Sequence, residues 1–579
     1  MKFKDLVIDG NMLLNLTAHE DSAHLITIGA HWDEVSVDNP QLKIEWSLPL
    51  IDIQYEWYPT CGFNRSLHVD WYGPVMSKIS SSAPVFCFYN AAGRNRFTMA
   101  LSDVKTLLGC SLGVREEDGT LYCKIEIPLD ATGATHDYAV TLYRTDEDIS
   151  FAESLRRVSA WWEKDCGFAP MAVPDEARSA MYSCWYSFHQ ATIAADIEAE
   201  CARAAKLGLK TVIVDDGWQT DDGQRGYAYC GDWEVAASKI PDMRAHVAAV
   251  HALGMKYMLW YSVPFMGIHS KHWETFKDKL LMFHGGHTAA GVLDPRYPDV
   301  RDYLINTYVK ALREWDLDGF KLDFIDAFNT GGNPLPAVTP DMDYALVEDA
   351  VERLMTDVMK ALKVLKPNIL IEFRQSYIGP VMRTFGNMFR VGDCPDDAIS
   401  NRIGSIDLRL LSGNTAVHSD MLMWHKDDTP EAAALQILSV IFAVPQISVK
   451  LDEITDEHRA LLTFWLNFMR EHRDTLLDAP LEVAAPQNLY PVVKAEKDGK
   501  AVIALYDGGR LVDLPEAHDI WLLNATPDTR IALANGRGRR FHVETIDCLG
   551  CTADARDITV SELALITVPV SGGAHLTEI

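Results

Sequence analysis

The 579-residue sequence lacks any hydrophobic run long enough to cross a lipid bilayer. Its longest mostly apolar stretches, such as residues 437–449, contain Ser, Pro and Gln, whereas a membrane-spanning helix needs about 20 predominantly apolar residues. Residues 1–5 lead into mixed polar sequence without the apolar core or the small-residue cleavage site of a secretory signal. We therefore expect a soluble, cytoplasmic protein that does not act at membranes.

Positive charge is also scarce. The chain has 53 Lys and Arg residues against 82 Asp and Glu residues, which gives a formal net charge of −29. Such an excess of carboxylates repels phosphate backbones and anionic lipids, and the sequence shows no local basic patch that would offset it. The composition therefore argues against a nucleic-acid or membrane-surface partner.

The common cofactor motifs are missing as well. The glycine pairs at residues 285–286 and 331–332 fit neither a phosphate-binding loop nor a dinucleotide fingerprint, and no G-x-S-x-G segment stands out. The 11 cysteines are scattered rather than arranged as a disulfide framework. Cys548 and Cys551 have metal or redox spacing, but without a second such pair or nearby histidines we interpret them as ordinary thiols in a turn. We expect no cofactor and no metal.

Hydrophobic periodicity predicts a multidomain fold with a central (β/α)8 TIM barrel. Length alone predicts about four domains of roughly 150 residues, or three if one is a barrel of about 250 residues. Residues 1–150 alternate in short runs typical of an antiparallel β-sandwich, and residues 151–176 are expected to form a helical linker. Strand-like and amphipathic segments alternate over residues 177–475, the predicted barrel, before a small antiparallel β-domain at residues 476–579.

Eight strand-like runs support the barrel. The strands are expected at residues 180–185, 211–215, 256–261, 319–324, 369–373, 388–391, 415–418 and 446–449. Helices are expected at residues 196–206, 244–253, 300–315, 344–365 and 430–442. Catalytic groups of such barrels come from the carboxyl ends of the strands, so the residues that end each run point to the function.

Carboxylates follow the second, fourth and sixth strands. Asp215 and Asp216 end the second strand, Asp323 ends the fourth, and the sixth runs into Asp393. Other charged or aromatic residues near strand ends are Trp185, Trp218, Trp260, Lys321, Glu372, Arg374 and Arg390, and the segment HSDM at residues 418–421 adds a polar cluster. We predict a polar pocket with aromatic walls, of the kind that binds sugars.

Three interpretations of this cluster compete. Converging carboxylates could hold Mg²⁺ or Ca²⁺, but Lys321 and Arg390 near the same ends would compete with a cation. An Asp at a strand end can cap the next helix, which would explain one residue but not the whole set. In the third interpretation, glycoside hydrolysis, one carboxylate attacks the anomeric carbon and another protonates the leaving oxygen. We favour the third.

The two carboxylates of a glycosidase need opposite charge states. Lys321 lies two residues before Asp323 in an extended strand, so both side chains point to one face, and the ammonium is expected to lower the pKa of Asp323 as a nucleophile requires. Asp393 lies near Asp396 and Asp397, whose like charges are expected to raise its pKa and keep it protonated as an acid.

The same residues resemble a known family. Residues 214–218, VDDGW, look like the sugar-binding segment of the retaining α-galactosidases of glycoside hydrolase family 36, and residues 318–324, DGFKLDF, look like their nucleophile strand. Motif order, approximate spacing and the three-part layout also agree. The resemblance implies a retaining α-glycosidase, in the first place an α-galactosidase, that works by double displacement with its two carboxyl groups about 5–5.5 Å apart.

The resemblance also assigns roles to individual residues. It makes Asp323 the nucleophile that forms a covalent glycosyl-enzyme and Asp393 the general acid/base. The implied sugar contacts are Asp215 and Asp216 to the 4- and 6-hydroxyls, Lys321 to the 3- and 4-hydroxyls, Trp260 as a wall of the −1 subsite, Arg390 to the 2-hydroxyl, and Trp71 reaching over the pocket. For Trp71, a place in the core of the sandwich is an equally weighted alternative.

Two segments depart from the family pattern. The family has an S-D-D-T-D type segment around the acid/base, whereas residues 392–396 are GDCPD, which leaves Asp396 as a second candidate. After strand five, a Cys followed by a Ser-Gly-Gly-Arg loop is replaced by EFRQSYIGP at residues 372–380. That loop lies near C2 and the leaving group, so Glu372, Arg374 and Gln375 are expected to contact the substrate and alter its specificity.

The expected partner is therefore an oligosaccharide or small glycoside. A transglycosidase of the raffinose-synthase kind, and an α-glycosidase for an N-acetylgalactosaminide or a β-L-arabinopyranoside, are the nearest alternatives. A sugar-binding protein on a decayed barrel and a metal-dependent barrel enzyme are the alternatives from other classes. The resemblance also allows a homo-oligomer, because relatives often assemble through their β-domains.

Overall fold

The computed structural model describes residues 1–374 and 376–579, which form three successive regions. The N-terminal region holds two six-stranded sheets, the middle region a closed eight-stranded barrel, and the C-terminal region a seven-stranded and a three-stranded sheet. This arrangement confirms the predicted fold class. Across the described residues, no helix combines the length and apolar character needed to span a bilayer.

The N-terminal region is built from antiparallel strands whose residues alternate between buried and exposed positions. In the strand Gln41–Pro49, for example, Leu42, Ile44 and Trp46 are buried. The first sheet has the order Lys2–Phe3, Leu6–Gly10, Gln41–Pro49, Thr120–Pro128, Leu108–Val114 and Val75–Ser77. The second has the order Asn15–Ser22, Leu25–His31, Asp137–Thr145, Asn95–Leu101, Val85–Tyr89 and Tyr55–Trp57.

A helix at Phe151–Lys164 connects the first sheets to the barrel. It begins where the Ser150 hydroxyl accepts the Glu153 N–H, the usual cap of a helix N-terminus. Its Trp162 donates to the Leu101 carbonyl of the N-terminal region, and its Ser159 donates to the Leu411 carbonyl of the barrel. The helix is therefore packed between the two regions.

Eight parallel strands close the barrel. They are β1 Met181–Ser183, β2 Thr211–Val214, β3 Lys256–Ser262, β4 Gly319–Asp323, β5 Leu370–Arg374, β6 Met388–Arg390, β7 Ala416–Leu422 and β8 Val444–Ile447. Their residues are almost all buried because one face lines the barrel interior and the other packs on helices. All eight predicted strands overlap the observed ones.

A helix follows every barrel strand. The helices are α1 Ala194–Lys206, α2 Met243–Ala252, α3 Pro298–Trp315, α4 Val347–Leu365, α5 Met382–Phe385, α6 Ala398–Leu411, α7 Pro430–Ser439 and α8 Asp456–Glu471. The five predicted helices are present, whereas α5, α6 and α8 were not predicted. Most residues of α6 are buried, and they include polar ones such as Asn401, Arg402 and Asp407.

Several short elements lie between the main ones. A three-stranded antiparallel sheet with the order Phe265–Gly267, Ala290–Leu293 and Leu280–His284 is inserted after β3 and was not predicted. The short helices are Leu129–Ala131, Asp175–Arg178, Trp185–Phe188, Trp273–Phe276, Ile325–Ala327, Asp474–Asp478 and Pro486–Asn488.

The C-terminal region contains two sheets. The larger has the order Leu481–Ala484, Val492–Lys497, Lys500–Leu505, Asp519–Asn524, Gly573–Glu578, Arg539–Ile546 and Thr552–Val560. The smaller has the order Leu511–Asp513, Arg530–Ala534 and Leu563–Thr567. One pair in each sheet is parallel and the others are antiparallel. Cys548 and Cys551 are free thiols flanking a turn in which the Gly550 N–H donates to the Asp547 carbonyl.

A buried carboxylate joins the three regions. Asp407 on α6 accepts hydrogen bonds from Trp57 Nε1 at 2.9 Å and from Arg65 Nη2 at 3.0 Å, both in the N-terminal region. It also accepts the Tyr490 hydroxyl of the C-terminal region at 2.5 Å. All four side chains are almost completely buried, so the group fixes the regions against one another.

Candidate active site

The carboxyl ends of the barrel strands bring the predicted charged residues to one mouth. Strand register places Lys321 of β4 between Trp260 of β3 and Glu372 of β5, and it places Arg374 of β5 beside Arg390 of β6. Neighbours in register point to the same side of a sheet, so these side chains form adjacent positions of the barrel interior.

Asp323, the predicted nucleophile, is the last residue of β4 and is 7% exposed. Its Oδ1 accepts hydrogen bonds from the Phe324 N–H at 2.9 Å and the Tyr377 hydroxyl at 3.1 Å, and it lies 2.7 Å from Arg374 Nε. Its Oδ2 accepts the Trp260 indole N–H at 3.1 Å. The carboxylate is therefore held by β3 on one side and by β5 and the segment after it on the other.

The surrounding charges keep Asp323 ionised. Burial raises the pKa of Asp323, but Arg374 and then Lys321 outweigh the burial and bring it below the usual 3.8. The predicted direction of this pKa is confirmed, with Arg374 as the stronger cause. Lys321 Nζ itself donates to Asp215 Oδ2 at 2.6 Å, so its charge reaches Asp323 without a direct contact.

Asp215 and Asp216 occupy the turn after β2. Gly217 has a φ of +112°, and a Cβ there would lie 2.6 Å from Gln190 Cα, so the turn requires glycine. Gln190 and Gln219 each donate an amide N–H to Asp216 at 2.7 Å. Burial raises the pKa of Asp216 to about 6, although both amides favour the ionised form. Whether these two carboxylates accept sugar hydroxyls stays a prediction.

The aromatic residues divide into core and pocket positions. Trp218 is completely buried and donates its indole N–H to the Trp260 carbonyl at 2.9 Å, so the prediction that it walls the pocket is wrong. Trp260 is buried beneath Asp323 and presents its N–H rather than an open face. Trp185 is half-buried and stacks on His189, with ring centroids 4.0 Å apart.

Arg390 connects carboxylates from three strand ends. Its Nη2 donates to Asp393 Oδ1 at 2.8 Å, its Nη1 bonds Asp420 of β7, and its Nε lies 3.8 Å from Glu372 Oε1. Asp420 also accepts the Tyr186 hydroxyl at 2.8 Å. The guanidinium is completely buried, and these acids compensate its charge.

Asp393, the predicted acid/base, lies after β6 with its side chain 51% exposed. Burial raises the pKa of Asp393, but Arg390 and then Lys321 outweigh the burial, so the net pKa lies below the usual 3.8. The prediction that like charges raise this pKa is therefore wrong. The physical reason is that Asp393 faces cations of neighbouring strands rather than the acids that follow it in sequence.

Those following acids are bound elsewhere. Asp396, the second candidate for the acid/base, is exposed and accepts the Gln436 amide N–H of α7 at 2.9 Å. Asp397 caps α6 by accepting the backbone N–H groups of Ile399 and Ser400. The geometry therefore gives Asp397 a structural role, and of the three acids at residues 393–397 only Asp393 contacts Arg390.

Glu372 lies beside Lys321 in the strand register. The residue is completely buried, and Gln446 of β8 donates a short hydrogen bond to its Oε2. Burial raises the pKa of Glu372 despite the nearby charges of Lys321 and Arg390. Whether this residue contacts the substrate stays a prediction.

The altered segment after β5 begins with Arg374, whose guanidinium carbon lies 4.6 Å from the centre of the Phe324 ring. Ser376 donates to Asp326 Oδ2 at 2.7 Å, and its carbonyl accepts the Ser82 N–H of the N-terminal region at 2.7 Å. Gln375, predicted with Arg374 to contact the substrate, lies outside the described residues. The segment thus connects the N-terminal region to the nucleophile.

Trp71 lies on a loop of the N-terminal region and is 72% exposed. The alternative that it packs in the core of the sandwich is therefore excluded. Within the described part of the chain, no hydrogen bond or ring contact joins Trp71 to the barrel mouth. Its predicted position over the pocket stays a prediction.

Sequence reasoning did not identify several contacts of the site. Tyr377 donates to Asp323, Tyr186 donates to Asp420, and Gln190 donates to Asp216. Tyr227 lies close enough to Asp323 for that carboxylate to help burial raise the pKa of the phenol. Tyr186 is on the short helix after β1, the other three are on loops after strands, and none belongs to a motif. Of these residues, only Tyr377 could have been singled out from the sequence, because it lies in the segment that departs from the family pattern.

Residues 1–374 and 376–579 contain no group of three or more His, Cys, Asp and Glu side chains arranged to hold a metal ion. A separate cavity of about 470 Å³ lies at the opposite end of the barrel, lined by Arg178, Gly208, Arg470 and Arg473 among others. Groups at that end of a TIM barrel usually stabilise the fold, so the charged mouth is the better candidate for chemistry.

Comparison with known proteins agrees with this geometry. Residues 172–388 match the Melibiase family, a segment that contains Asp215, Lys321 and Asp323 and ends before Asp393. The chain is 31% identical over 128 residues to the α-galactosidase Mel36A of Lactobacillus acidophilus, a match that covers 21% of this chain and 17% of that protein. It is 31% identical over 129 residues to the α-galactosidase AgaA of Geobacillus stearothermophilus, covering 20% and 17%. The chain therefore matches less than a fifth of the length of these relatives.

The structural likeness extends much further along the chain. The crystal structure of AgaA, a family 36 α-galactosidase of Geobacillus stearothermophilus, in complex with raffinose superposes with a TM-score of 0.67. The superposition covers 99% of this chain and 81% of that one at 16% identity. The resemblance to the family 36 α-galactosidases is confirmed, and the similar fold covers 99% of this chain.

Proposed function

We propose that this protein is a glycoside hydrolase, a retaining α-glycosidase with α-galactosides as its substrates. The observation that carries the proposal is the pair of carboxylates at the barrel mouth. Asp323 is buried and ionised at the end of β4, and Asp393 is half-exposed after β6. Arg374 lies 2.7 Å from Asp323 and Arg390 lies 2.8 Å from Asp393, and the charges of both, with that of Lys321, lower the pKa of each carboxyl group, which supports a shared site.

In the proposed reaction, Asp323 attacks the anomeric carbon while Asp393 gives a proton to the leaving oxygen. Asp393 then takes a proton from water, which releases the sugar with its original anomeric configuration. Asp393 must therefore carry a proton at the start, although Arg390 favours its ionised form. We expect activity to decline from mildly acidic to alkaline pH, because the protonated fraction of Asp393 falls.

The choice of glycone rests on the match to α-galactosidases and on the DDGW segment after β2. Arg374 belongs to the segment that replaces a family loop near C2 and the leaving group. N-acetylgalactosaminides and β-L-arabinopyranosides are therefore alternative substrates. Transfer to an acceptor sugar in place of water remains the second candidate reaction. The mouth binds neither nucleic acid nor lipid in this proposal.

The test is a screen of p-nitrophenyl α-glycosides with NMR detection of the first-formed anomer. We expect the α-galactoside to be cleaved with release of α-galactose, and addition of acceptor sugars to distinguish hydrolysis from transfer. Release of the β-anomer would contradict the retaining mechanism. Cleavage of none of the glycosides, with the fold confirmed by circular dichroism, would contradict the activity.

The cytoplasmic location and the homo-oligomer remain parts of the proposal. All 11 cysteines are free thiols, and eight of them are buried, which fits a reducing compartment. Size-exclusion chromatography with light scattering would give the number of subunits.

A further inference from the structure

The two oxygens of Asp323 have unequal surroundings. Oδ1 accepts the Phe324 N–H and the Tyr377 hydroxyl and lies 2.7 Å from Arg374 Nε. Oδ2 has a single hydrogen bond from the described residues, the one from Trp260 at 3.1 Å. A carboxylate oxygen has two in-plane lone pairs, so Oδ1 is saturated whereas Oδ2 keeps one lone pair free.

We propose that Arg374 and Tyr377 are positioning residues that hold Asp323 through Oδ1 and leave Oδ2 as the attacking atom, and that the charge of Arg374 favours release of the sugar from Asp323. This inference rests on the proposed function. It gives Arg374 a role different from the substrate contact predicted from the sequence.

The contact geometry indicates that Arg374 acts by its charge. Its Nε lies within ion-pair distance of Oδ1 but makes no aligned hydrogen bond to it. The guanidinium packs over the Phe324 ring, and Nη2 lies 4.0 Å from Asp326 Oδ1, a buried oxygen without a hydrogen bond. Arg374 therefore still has an acid nearby, Asp326, when the glycosyl ester forms and Asp323 loses its charge.

The two reaction steps use this charge in opposite ways. In the first, the bond from C1 to Asp323 Oδ2 forms as the C1–aglycone bond breaks, and the aglycone oxygen leaves with the electron pair and the Asp393 proton. In the second, water attacks C1, Asp393 takes its proton, and the electron pair of the C1–Oδ2 bond returns to Asp323 as a carboxylate. A cation beside that carboxylate makes it a weaker nucleophile but a better leaving group.

Other charged or titratable groups also face Asp323. They are Lys321 on the same strand, Arg390 from β6, Tyr377 after β5 and Tyr227 after β2. Arg374 provides the largest effect that lowers the pKa of Asp323, and it acts on Asp393 as well, after Arg390 and Lys321. Its removal should therefore affect the acid limb of the pH profile more than the alkaline limb.

The experiment compares Arg374→Met with Arg374→Lys on an aryl α-galactoside whose leaving group makes the second step rate-limiting. For Arg374→Met we expect the acid limb of kcat/KM to move up by about one pH unit, because an adjacent cation lowers a carboxyl pKa by roughly that much or more. We expect kcat and KM to fall together by roughly tenfold, with a burst of one aglycone per enzyme. Arg374→Lys should keep the wild-type acid limb.

Arg353→Met is the matched control, because Arg353 is an exposed residue of α4 paired with Asp357. It should leave both profiles unchanged. Tyr377→Phe keeps the local shape and tests the hydrogen bond to Oδ1 alone, with a smaller upward movement of the acid limb expected.

An Arg374→Met enzyme that remains folded, has an unmoved acid limb and loses kcat/KM without a burst would overturn this inference alone. If Arg374→Met does not fold, the acid limb and the burst are measured in Arg374→Lys and Tyr377→Phe instead. An acid limb that does not move in Tyr377→Phe then overturns this inference. A wild-type enzyme that cleaves none of the α-glycosides would overturn the proposed function and, with it, this inference.

Discussion

Two buried carboxylates in different parts of the molecule have the same kinds of partner. Asp323 contacts the side chains of Trp260, Arg374 and Tyr377 at the barrel mouth. Asp407 contacts those of Trp57, Arg65 and Tyr490 where the three regions meet. Each carboxylate therefore has one indole, one guanidinium and one phenol, yet only the first lies where a substrate can reach it.

The difference lies in where the carboxylate stands. Both oxygens of Asp407 contact Arg65, and its Oδ1 also accepts Trp57 and Tyr490. Asp407 Oδ2 has one hydrogen bond, from Arg65, and Asp323 Oδ2 has one, from Trp260, but Asp323 ends a barrel strand at the mouth. A set of donors alone does not distinguish a structural carboxylate from a reactive one, because both need their charge compensated when they are buried.

The largest expected effect separates the two carboxylates by activity. Asp323→Asn should reduce turnover by about 10⁴-fold or more, because an amide cannot form the glycosyl ester, while the unfolding midpoint changes little. The measurement is kcat on an aryl α-galactoside together with a thermal melt. Turnover near the wild-type value would mean that another residue is the nucleophile.

The second largest expected effect is on the free energy of unfolding, and it distinguishes Asp407 from Asp323. Asp407→Ala should destabilise the fold by about 3–5 kcal/mol, because it leaves Arg65 buried without its acid, while activity per folded molecule is retained. Urea unfolding followed by fluorescence and by activity measures both. The double variant Arg65→Met with Asp407→Leu should regain most of the loss. A midpoint unchanged in Asp407→Ala would show that the contact does not stabilise the junction.

The smallest effect concerns Asp216, a carboxylate beside the site without a cation of its own. Its pKa is raised from 3.8 to about 6, which is equivalent to roughly 3 kcal/mol against the ionised native form. The unfolded chain releases this proton near pH 4 and the folded chain near pH 6, so stability is lost as pH rises through that interval. Asp216→Asn should therefore stabilise the fold by about 1–3 kcal/mol at pH 7 and hardly at all below pH 4.

Thermal melts at pH 4, 5, 6 and 7 would show this dependence. Asp278→Asn, a change at an exposed residue, is the matched control and should show no such trend. A gain in Asp216→Asn that is equal at every pH would argue against a raised pKa as its cause.

The barrel strands were predictable because their burial on both faces produces continuous apolar runs. Positions such as Asp323 were predictable for the same reason, since a polar residue that ends such a run stands out. Helix α6 was missed, because its buried positions include polar residues such as Asn401, Arg402 and Asp407, which interrupt the apolar pattern. The small sheet after β3 was also missed, because its strands are three to five residues long.

The pKa directions of Asp323 and Asp393 show what the sequence could and could not predict. The prediction for Asp323 had the correct direction because Lys321 lies on the same strand, two residues away. The prediction for Asp393 was wrong because it counted Asp396 and Asp397, which are near in sequence, and not Arg390 in its folded position. Arg374 was recognised as a departure from the family, but its contact with Asp323 was not foreseen.

The sequence by itself determined the fold class, the eight barrel strands, the carboxylates at the ends of β2 and β4, and the family that they resemble. Only the tertiary structure decided which cation faces which acid. The physical reason is that burial periodicity is a local property of the chain, whereas a carboxyl pKa depends on charges within a few ångströms, and neighbouring strands bring those charges together from distant positions.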